Sequence, residues 1–286
     1  MIAYFNNDFI DKDLVRISPD DRGFLLADGL YEVLRSYGGK LFRAADHIAR
    51  LNYGARHLRL SQGDFSYLVP VAEELLRRNG LAEAEATVYF QVTRGAAKRT
   101  HAFPAQPPPL TVYGLPSPFD AQAMLRRMES GVAAITLPDQ RWARCDMKTV
   151  GLTANVLANQ AAHEAGAAEA ILVRDGVLIE GTHSNFMAVF GGTLVTAPTS
   201  NYILSGITRK AVLELCARHG VPVELRPIYA SEFHQAEEAM IVGTTVEVTP
   251  VLTVDGRPVG SGRPGPVARR LQELFAAEVG RPWPQG

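Results

Sequence analysis

Four pairs of turn-forming residues constrain this chain more than any other feature. Asn6-Asn7, Gly38-Gly39, Asp175-Gly176 and Gly191-Gly192 each stand between two short strand-like runs. That is the pattern of a tight hairpin, so the flanking segments are expected to pair antiparallel. ATVYFQVTRG, PLTVYG, GVAAITL and the stretch from EEAMIVG to VDGRPV add further strands. Between them lie segments of helical period. In RAADHIARLNYGARHLRL, Ile48, Leu51, Leu58 and Leu60 recur on one side, and a second helix is expected over 65–79, before Gly80. GLTANVLANQAAHEAG reads as a helix with Leu152, Val156 and Leu157 as its apolar face. ITRKAVLELCARHG stops at Gly220, and PVARRLQELFAAEV is a charged amphipathic helix. There is no internal repeat and no low-complexity tract, so the class is α+β. The proline-rich LPSPFDAQ is the expected boundary: an N-terminal domain over 1–114, a linker over 115–122 and a C-terminal domain over 123–286.

Composition narrows the partners. With 286 residues, 47% of them hydrophobic, the chain can bury the cores of two medium domains. A formal net charge of −1 excludes a strongly basic surface for nucleic acid or anionic lipid, so small-molecule partners are expected. Cys145 and Cys216 do not make a disulfide framework, and the opening MIAYFNNDFIDKD lacks the order of a signal peptide. No run of about 18 apolar residues is present. The expectation is a cytoplasmic protein with no membrane span.

Several residues can carry chemistry. Only five of the 29 basic residues are lysines, and Lys148 lies in RWARCDMKTVGLTANVL, between a strand-like stretch and a helix. A neutral amine there is a Schiff-base nucleophile, which a guanidinium cannot be; the plainer reading is a lysine snorkelling from a helix start. Glu180 ends the strand VLIE before Gly181 and could face a cationic ring nitrogen, or simply be a strand-end charge. SGITRK, at 205–210, opens a helix whose free N–H groups make a ready phosphate seat, and GTTVEVT, at 243–249, could complete it. Arg50 follows His47 by one helical turn, placing a cation and an imidazole on one face. Arg99 and His101, two apart in a loop, project to one side and would clamp a carboxylate. Tyr31 sits on a strand. GSGRPG, at 260–265, matches the dinucleotide pattern by letter, but it follows a hairpin and leaves too little chain for a βαβ unit, so it is read as a loop. No H-E-x-x-H occurs and neither cysteine has a metal-ligand neighbour, so no metal site is expected.

Together, DRGFLLADGLYEVLR, YFQVTRG with the following R-x-H, RWARCDMK, NQAAHEAG, EGTHSN, ILSGITR and GTTVEVTPV resemble the fold-type IV pyridoxal-phosphate aminotransferases, most closely the subgroup acting on D-amino acids. The resemblance covers nearly the whole chain. It implies a smaller N-terminal α/β domain and a larger C-terminal domain with a β-barrel-like sheet and helices. It implies pyridoxal 5'-phosphate as a Schiff base on Lys148, which would also carry the proton between the substrate α-carbon and the cofactor. Glu180 would pair with the pyridine nitrogen. Arg50, the amides of Ile207 and Thr208, and Thr244 with Thr245 would hold the phosphate, while Leu204 would pack on the ring. Tyr31, Arg99 and His101 would hold the substrate carboxylate, with His47 and Tyr89 lining the pocket. In such enzymes the R-x-H pair reaches in from the neighbouring subunit, so a homodimer with shared active sites is implied, acting on amino acids and 2-oxo acids. Two positions depart from the pattern: Gly243 replaces a serine, and His183 stands where a small hydroxyl residue is usual. The rival readings are an L-branched-chain aminotransferase, an aminodeoxychorismate lyase and a non-catalytic pyridoxal-phosphate-binding protein.

Overall fold

The computed structural model describes residues 1–283, which divide into two compact units. One comprises Met1–Asp120 and Met147–Leu152; the other comprises Ala121–Asp146 and the chain from Thr153 onward. The expected linker at 115–122 is mostly regular structure, because the strand Thr111–Pro118 runs through it and the helix Ala121–Ser130 follows directly. Its prolines are tolerated because this end of the strand is an edge: Pro116 and Pro118 pair with Val88 and Ala86 on one side, whereas the neighbour on the other side pairs only at Tyr113 and Gly114.

The first unit carries a six-stranded antiparallel sheet in the order Asp8–Asp11, Ile2–Phe5, Thr111–Pro118, Ala86–Thr93, Gly29–Tyr37, Lys40–Leu41. The helices Ala44–His57 and Leu68–Arg78 pack on it over a core that includes Leu30, Leu34, Leu51, Leu75 and Phe90. All four expected hairpin turns form, and both central residues of each have positive φ, from 48° at Asn6 to 86° at Gly39. This is the mirror-image turn that matches strand twist, and asparagine, aspartate and glycine tolerate it best.

The second unit is built on a ten-stranded sheet whose central strands close into a ring. The ring runs Asn185–Phe190, Glu238–Gly243, Glu247–Val254, Val132–Pro138, Glu169–Arg174 and Val177–Gly181, and returns to its start where Glu180 pairs with Asn185. The barrel-like sheet implied by the resemblance is therefore present. Apolar side chains including Ile171, Leu178, Phe186 and Ile241 form its core. The helix Thr153–Glu164 departs from expectation, for Val156 and Leu157 are each 62% exposed. The inward side is instead made of small residues such as Ala162, with Asn155 and Asn159 bonded to Thr182. GSGRPG is a turn before the helix Pro266–Glu278, and the first amides of that helix donate to the carboxylate of Glu238, at 2.9 Å from Val267 and 2.8 Å from Ala268. A protein carboxylate thus already occupies the seat a dinucleotide phosphate would need.

Among the described residues no helix is long and apolar enough to cross a membrane, and no group of three or more His, Cys, Asp or Glu is placed to hold a metal ion.

Candidate active site

The segment carrying Lys148 lies alongside the start of the strand Gly29–Tyr37. Tyr31 N–H donates to the Lys148 carbonyl at 3.0 Å, and Val150 N–H donates to the Gly29 carbonyl at 3.1 Å. This added pairing puts the Lys148 side chain beside Tyr31, with Nζ 3.2 Å from the phenol oxygen and 4.2 Å from the ring centroid. Among the described residues that is the only hydrogen bond of the Lys148 amine, and it makes no ion pair. Tyr31 in turn stacks on Tyr89 at 5.8 Å between ring centroids. Burial, with Tyr31 and Tyr113 adding to it, pushes the Tyr89 hydroxyl up to about 12, so it stays protonated.

Glu32, next to Tyr31 on the strand, points to the opposite face and is fully buried. Its carboxylate accepts from Arg50 Nε at 2.9 Å and from the terminal guanidinium nitrogen at 2.6 Å, and lies 3.1 Å from His47 Nδ1. Burial opposes its charge, but Arg50 and His47 outweigh that and hold the carboxyl well below the usual range. Burial lowers the His47 imidazole, with Glu32 opposing. The cation and imidazole expected on one helix face are thus gathered around a carboxylate that sequence reasoning did not single out.

Arg99 and His101 lie in the loop after the strand Ala86–Thr93, and both are exposed. Between them Thr100 is pinned by its carbonyl, which accepts from the buried Arg22 at 2.7 Å. The structure does not bring either side chain into a hydrogen bond or ion pair with Tyr31 or Lys148 within the chain.

The other expected residues fall in the second unit. Glu180 is 3% exposed at the closing pair of the barrel. It accepts from Arg141 at 2.5 Å, from Asn185 Nδ2 at 2.9 Å and from the Leu204 amide at 3.1 Å. Burial pushes its carboxyl up to about 7, while Arg141 pulls the other way. Arg141 is itself gripped by Asp139, through Nε at 2.9 Å and a terminal nitrogen at 3.0 Å, and Arg174 pairs with the same aspartate at 3.1 Å. Asn185 also donates to the Leu204 carbonyl at 3.0 Å, which ties the closing pair to the loop before the helix Ile207–His219.

That helix has Gly206 at its N-cap and no side-chain cap. A side chain at Gly206 could not be accommodated, because its Cβ would lie 1.8 Å from Asn185 Oδ1. The amides of Ile207 and Thr208 begin a helix on whose positive end no carboxylate of the described residues is seen to accept, unlike the helix at Pro266. Thr244 and Thr245 form the turn between the strands Glu238–Gly243 and Glu247–Val254, Thr244 half-buried and Thr245 exposed. Arg141, Asp139 and Asn185 were not assigned roles from sequence. Arg141 stands in the RWARCDMK stretch, but nothing local announces a partner 39 residues downstream.

In the second unit a barrel seam holds a buried acid, with a helix that has no side-chain cap following the loop tied to it; in the first, a lysine that makes no ion pair among the described residues stands on a segment bridged to the strand Gly29–Tyr37. The family model for amino-transferase class IV matches residues 29–254, and the chain belongs to that family. It is 39% identical over 285 residues to a D-alanine aminotransferase of Bacillus licheniformis, covering 98% of this chain and 97% of the relative. It is 37% identical over 274 residues to a D-alanine aminotransferase of Staphylococcus haemolyticus, covering 96% of each. Among solved structures, the Escherichia coli branched-chain amino acid aminotransferase superposes with a TM-score of 0.89 at 25% identity, over 96% of this chain and 93% of that one. A T.th. branched-chain amino acid aminotransferase complexed with N-(5'-phosphopyridoxyl)-L-glutamate gives 0.86 at 28% identity, over 98% and 95%.

Proposed function

We propose that this chain is a D-amino acid transaminase, moving an amino group reversibly between a D-amino acid such as D-alanine or D-glutamate and a 2-oxo acid, with pyridoxal 5'-phosphate as cofactor. The observation that carries the reading is Lys148: an amine whose one hydrogen-bond partner among the described residues is a phenol and which no carboxylate among them neutralises. The residues fit the cofactor. Lys148 would hold its aldehyde, Glu180 its ring nitrogen, and the amides of Ile207 and Thr208 with Thr244, Thr245 and Arg50 its phosphate, while Leu204 would pack on the ring. When bound, the cofactor supplies a carbonyl for the amino group and an electron-withdrawing ring beside the α-carbon.

The chain's own groups do the rest. Lys148 Nζ takes the α-proton and returns it, a positioned transfer typically worth about 10²- to 10⁴-fold in rate. Glu180, as a carboxylate, would pair with the pyridine nitrogen and keep a proton at that atom. Arg141 and Asn185 hold the carboxylate in one orientation. Tyr31, with Arg99 and His101 supplied by a second copy of the chain, binds the substrate carboxylate; anchoring Thr100 leaves both flanking side chains free to reach outward. The assembly is a homodimer, and the two buried unpaired cysteines fit a reducing cytoplasm.

Reconstituted protein given D-alanine and 2-oxoglutarate is expected to yield pyruvate, with little turnover of L-alanine, L-leucine or aminodeoxychorismate. The L-branched-chain reading is the rival, since the structural neighbours are branched-chain enzymes, though at 25–28% identity. Equal or greater activity on the L-series would decide for it. Arg99→Ala is expected to lower kcat/KM for D-alanine by about ten- to a hundredfold through loss of a charge-assisted pair, with cofactor affinity unchanged. Mixing Lys148→Ala with Arg99→Ala protein, after dissociation and reassociation, should restore part of the activity, because one site of each mixed dimer is then intact. No recovery in verified mixed dimers would mean that Arg99 serves its own subunit.

A further inference from the structure

The threonine turn at 244–245 closes on a residue type that such turns rarely use. Gly243 and Glu247 pair across it, Val246 N–H donates to the Gly243 carbonyl at 3.2 Å, and Thr249 Oγ1 donates to the Val246 carbonyl at 2.6 Å. A three-residue hairpin loop of this kind ends on a residue with positive φ, a place that glycine fills best. Here that residue is Glu247, at φ 45°. A glutamate keeps such a conformation only where its surroundings enforce it.

The enforcement comes from the segment after the helix Pro266–Glu278. Glu247 is 0% exposed, and its two carboxylate oxygens accept from the two terminal nitrogens of Arg281, at 2.9 and 2.5 Å. Among the described residues this is the only ion pair of Glu247. A buried carboxylate needs such a cation, and a forked pair fixes direction as well as charge. Arg281 is itself held in place: Gly280 turns the chain out of the helix with φ 69°, and Arg281 N–H donates back to the Ala276 carbonyl at 2.8 Å. The helix is fastened to the same strand, since Gln272 Nε2 donates to the Val248 carbonyl at 3.0 Å and Leu271 and Phe275 are buried. Arg281 and Gln272 thus clamp the first two residues of the strand Glu247–Val254, directly after the turn.

We propose that Arg281 is a positioning residue for the cofactor phosphate: by holding Glu247 in its left-handed conformation it sets the shape in which Thr244 and Thr245 meet that group. Cofactor retention is thereby tied to the segment that follows the helix Pro266–Glu278. The inference rests on the transaminase reading and on the phosphate seat within it. Neutralising a buried acid would need only a positive charge nearby. The fork on Glu247 and the positive φ of the same residue together govern direction: once released, Glu247 can relax to an extended φ, and the peptide planes of the turn rotate with it.

The test compares wild type with Arg281→Met, Arg281→Lys and the double variant Arg281→Met with Glu247→Gly. Equilibrium dialysis against pyridoxal 5'-phosphate should show Arg281→Met holding the cofactor about tenfold more weakly, the effect of one lost hydrogen bond to a charged group, with lost turnover made good by excess cofactor. In the cofactor-free protein, amide hydrogen exchange should quicken at 244–249 and not in the helix Ile207–His219. Arg281→Lys, which keeps the charge without the fork, should recover only part of the retention. The double variant should recover most of it, because glycine takes the left-handed conformation unaided and no buried acid is left unpaired. Unchanged exchange at the turn overturns the inference, and so does faster exchange throughout the domain, which would make Arg281 a general brace. Faster exchange at the turn alone with unchanged retention would mean that the threonines do not hold the phosphate, which overturns the role assigned to Arg281. A wild type that binds no pyridoxal 5'-phosphate removes the transaminase reading instead, and the exchange measurement still decides whether Arg281 holds the turn.

Discussion

Replacement of Lys148 by alanine is expected to lower D-alanine turnover by about 10⁴-fold, the upper range for a positioned proton carrier, with the covalent anchor lost as well. The fold should survive. It is the backbone of residue 148, through its carbonyl, that accepts from Tyr31 N–H, so this pairing needs no side chain there. The truncation removes the contacts of the amine with the Tyr31 hydroxyl and ring. Lys148→Arg separates amine from charge: it keeps a cation beside Tyr31 and should be as inactive as alanine. Borohydride reduction of wild-type holoenzyme, followed by peptide mapping, should place the label at position 148 and nowhere else. A label on Lys12, Lys40, Lys98 or Lys210, or an arginine variant with near-normal turnover, would refute the role.

The second large effect is expected at Glu180. In Glu180→Gln an amide NH₂ must face the donors of Arg141, Asn185 and the Leu204 amide, and the charge that would keep a ring nitrogen protonated is gone. Turnover should fall by about 10²-fold or more, comparable to removing one preorganised electrostatic group. Asp139 still engages Arg141, so the arginine is not stranded and the variant should fold. A stability measurement gives an independent check. The Glu180 carboxyl is raised from an ordinary 4.5 to about 7 in the folded cofactor-free protein. Between those values the folded state binds more protons than the unfolded one, so the contribution of this group to stability falls as pH rises through that window and is level above it. The full change is up to about 3 kcal/mol. The glutamine variant should lack this slope when apo-protein thermal midpoints are compared from pH 5 to 8; an identical slope in both proteins would mean that the acid is not raised.

What was legible in the sequence was chemistry that depends on neighbours along the chain. Turns with positive φ at both central positions accept few residue types, so Asn6-Asn7 and Asp175-Gly176 announced their hairpins. Helical period located the helix Thr153–Glu164 but could not say which side faces inward. Val156 and Leu157 point out, while alanines and asparagines, weak signals by hydropathy, make the packed side. Prolines at 116 and 118 suggested a linker because the edge position that excuses them is a property of the assembled sheet. Lys148, Glu180 and the glycine-led helix stood out by residue type and place. The partners that hold such groups in place did not: Arg141 reaches Glu180, and Arg281 reaches Glu247, only after elements distant in sequence have been brought side by side.

The joint between Glu180 and Asn185 has a consequence for how such a chain matures. The same two residues complete the ring of strands and orient the acid proposed to face the pyridine nitrogen, so an immature chain whose barrel has not yet zipped shut offers no correctly aimed acid. Acquisition of a vitamin-derived chromophore would then serve as a built-in certificate of completed folding, legible as colour.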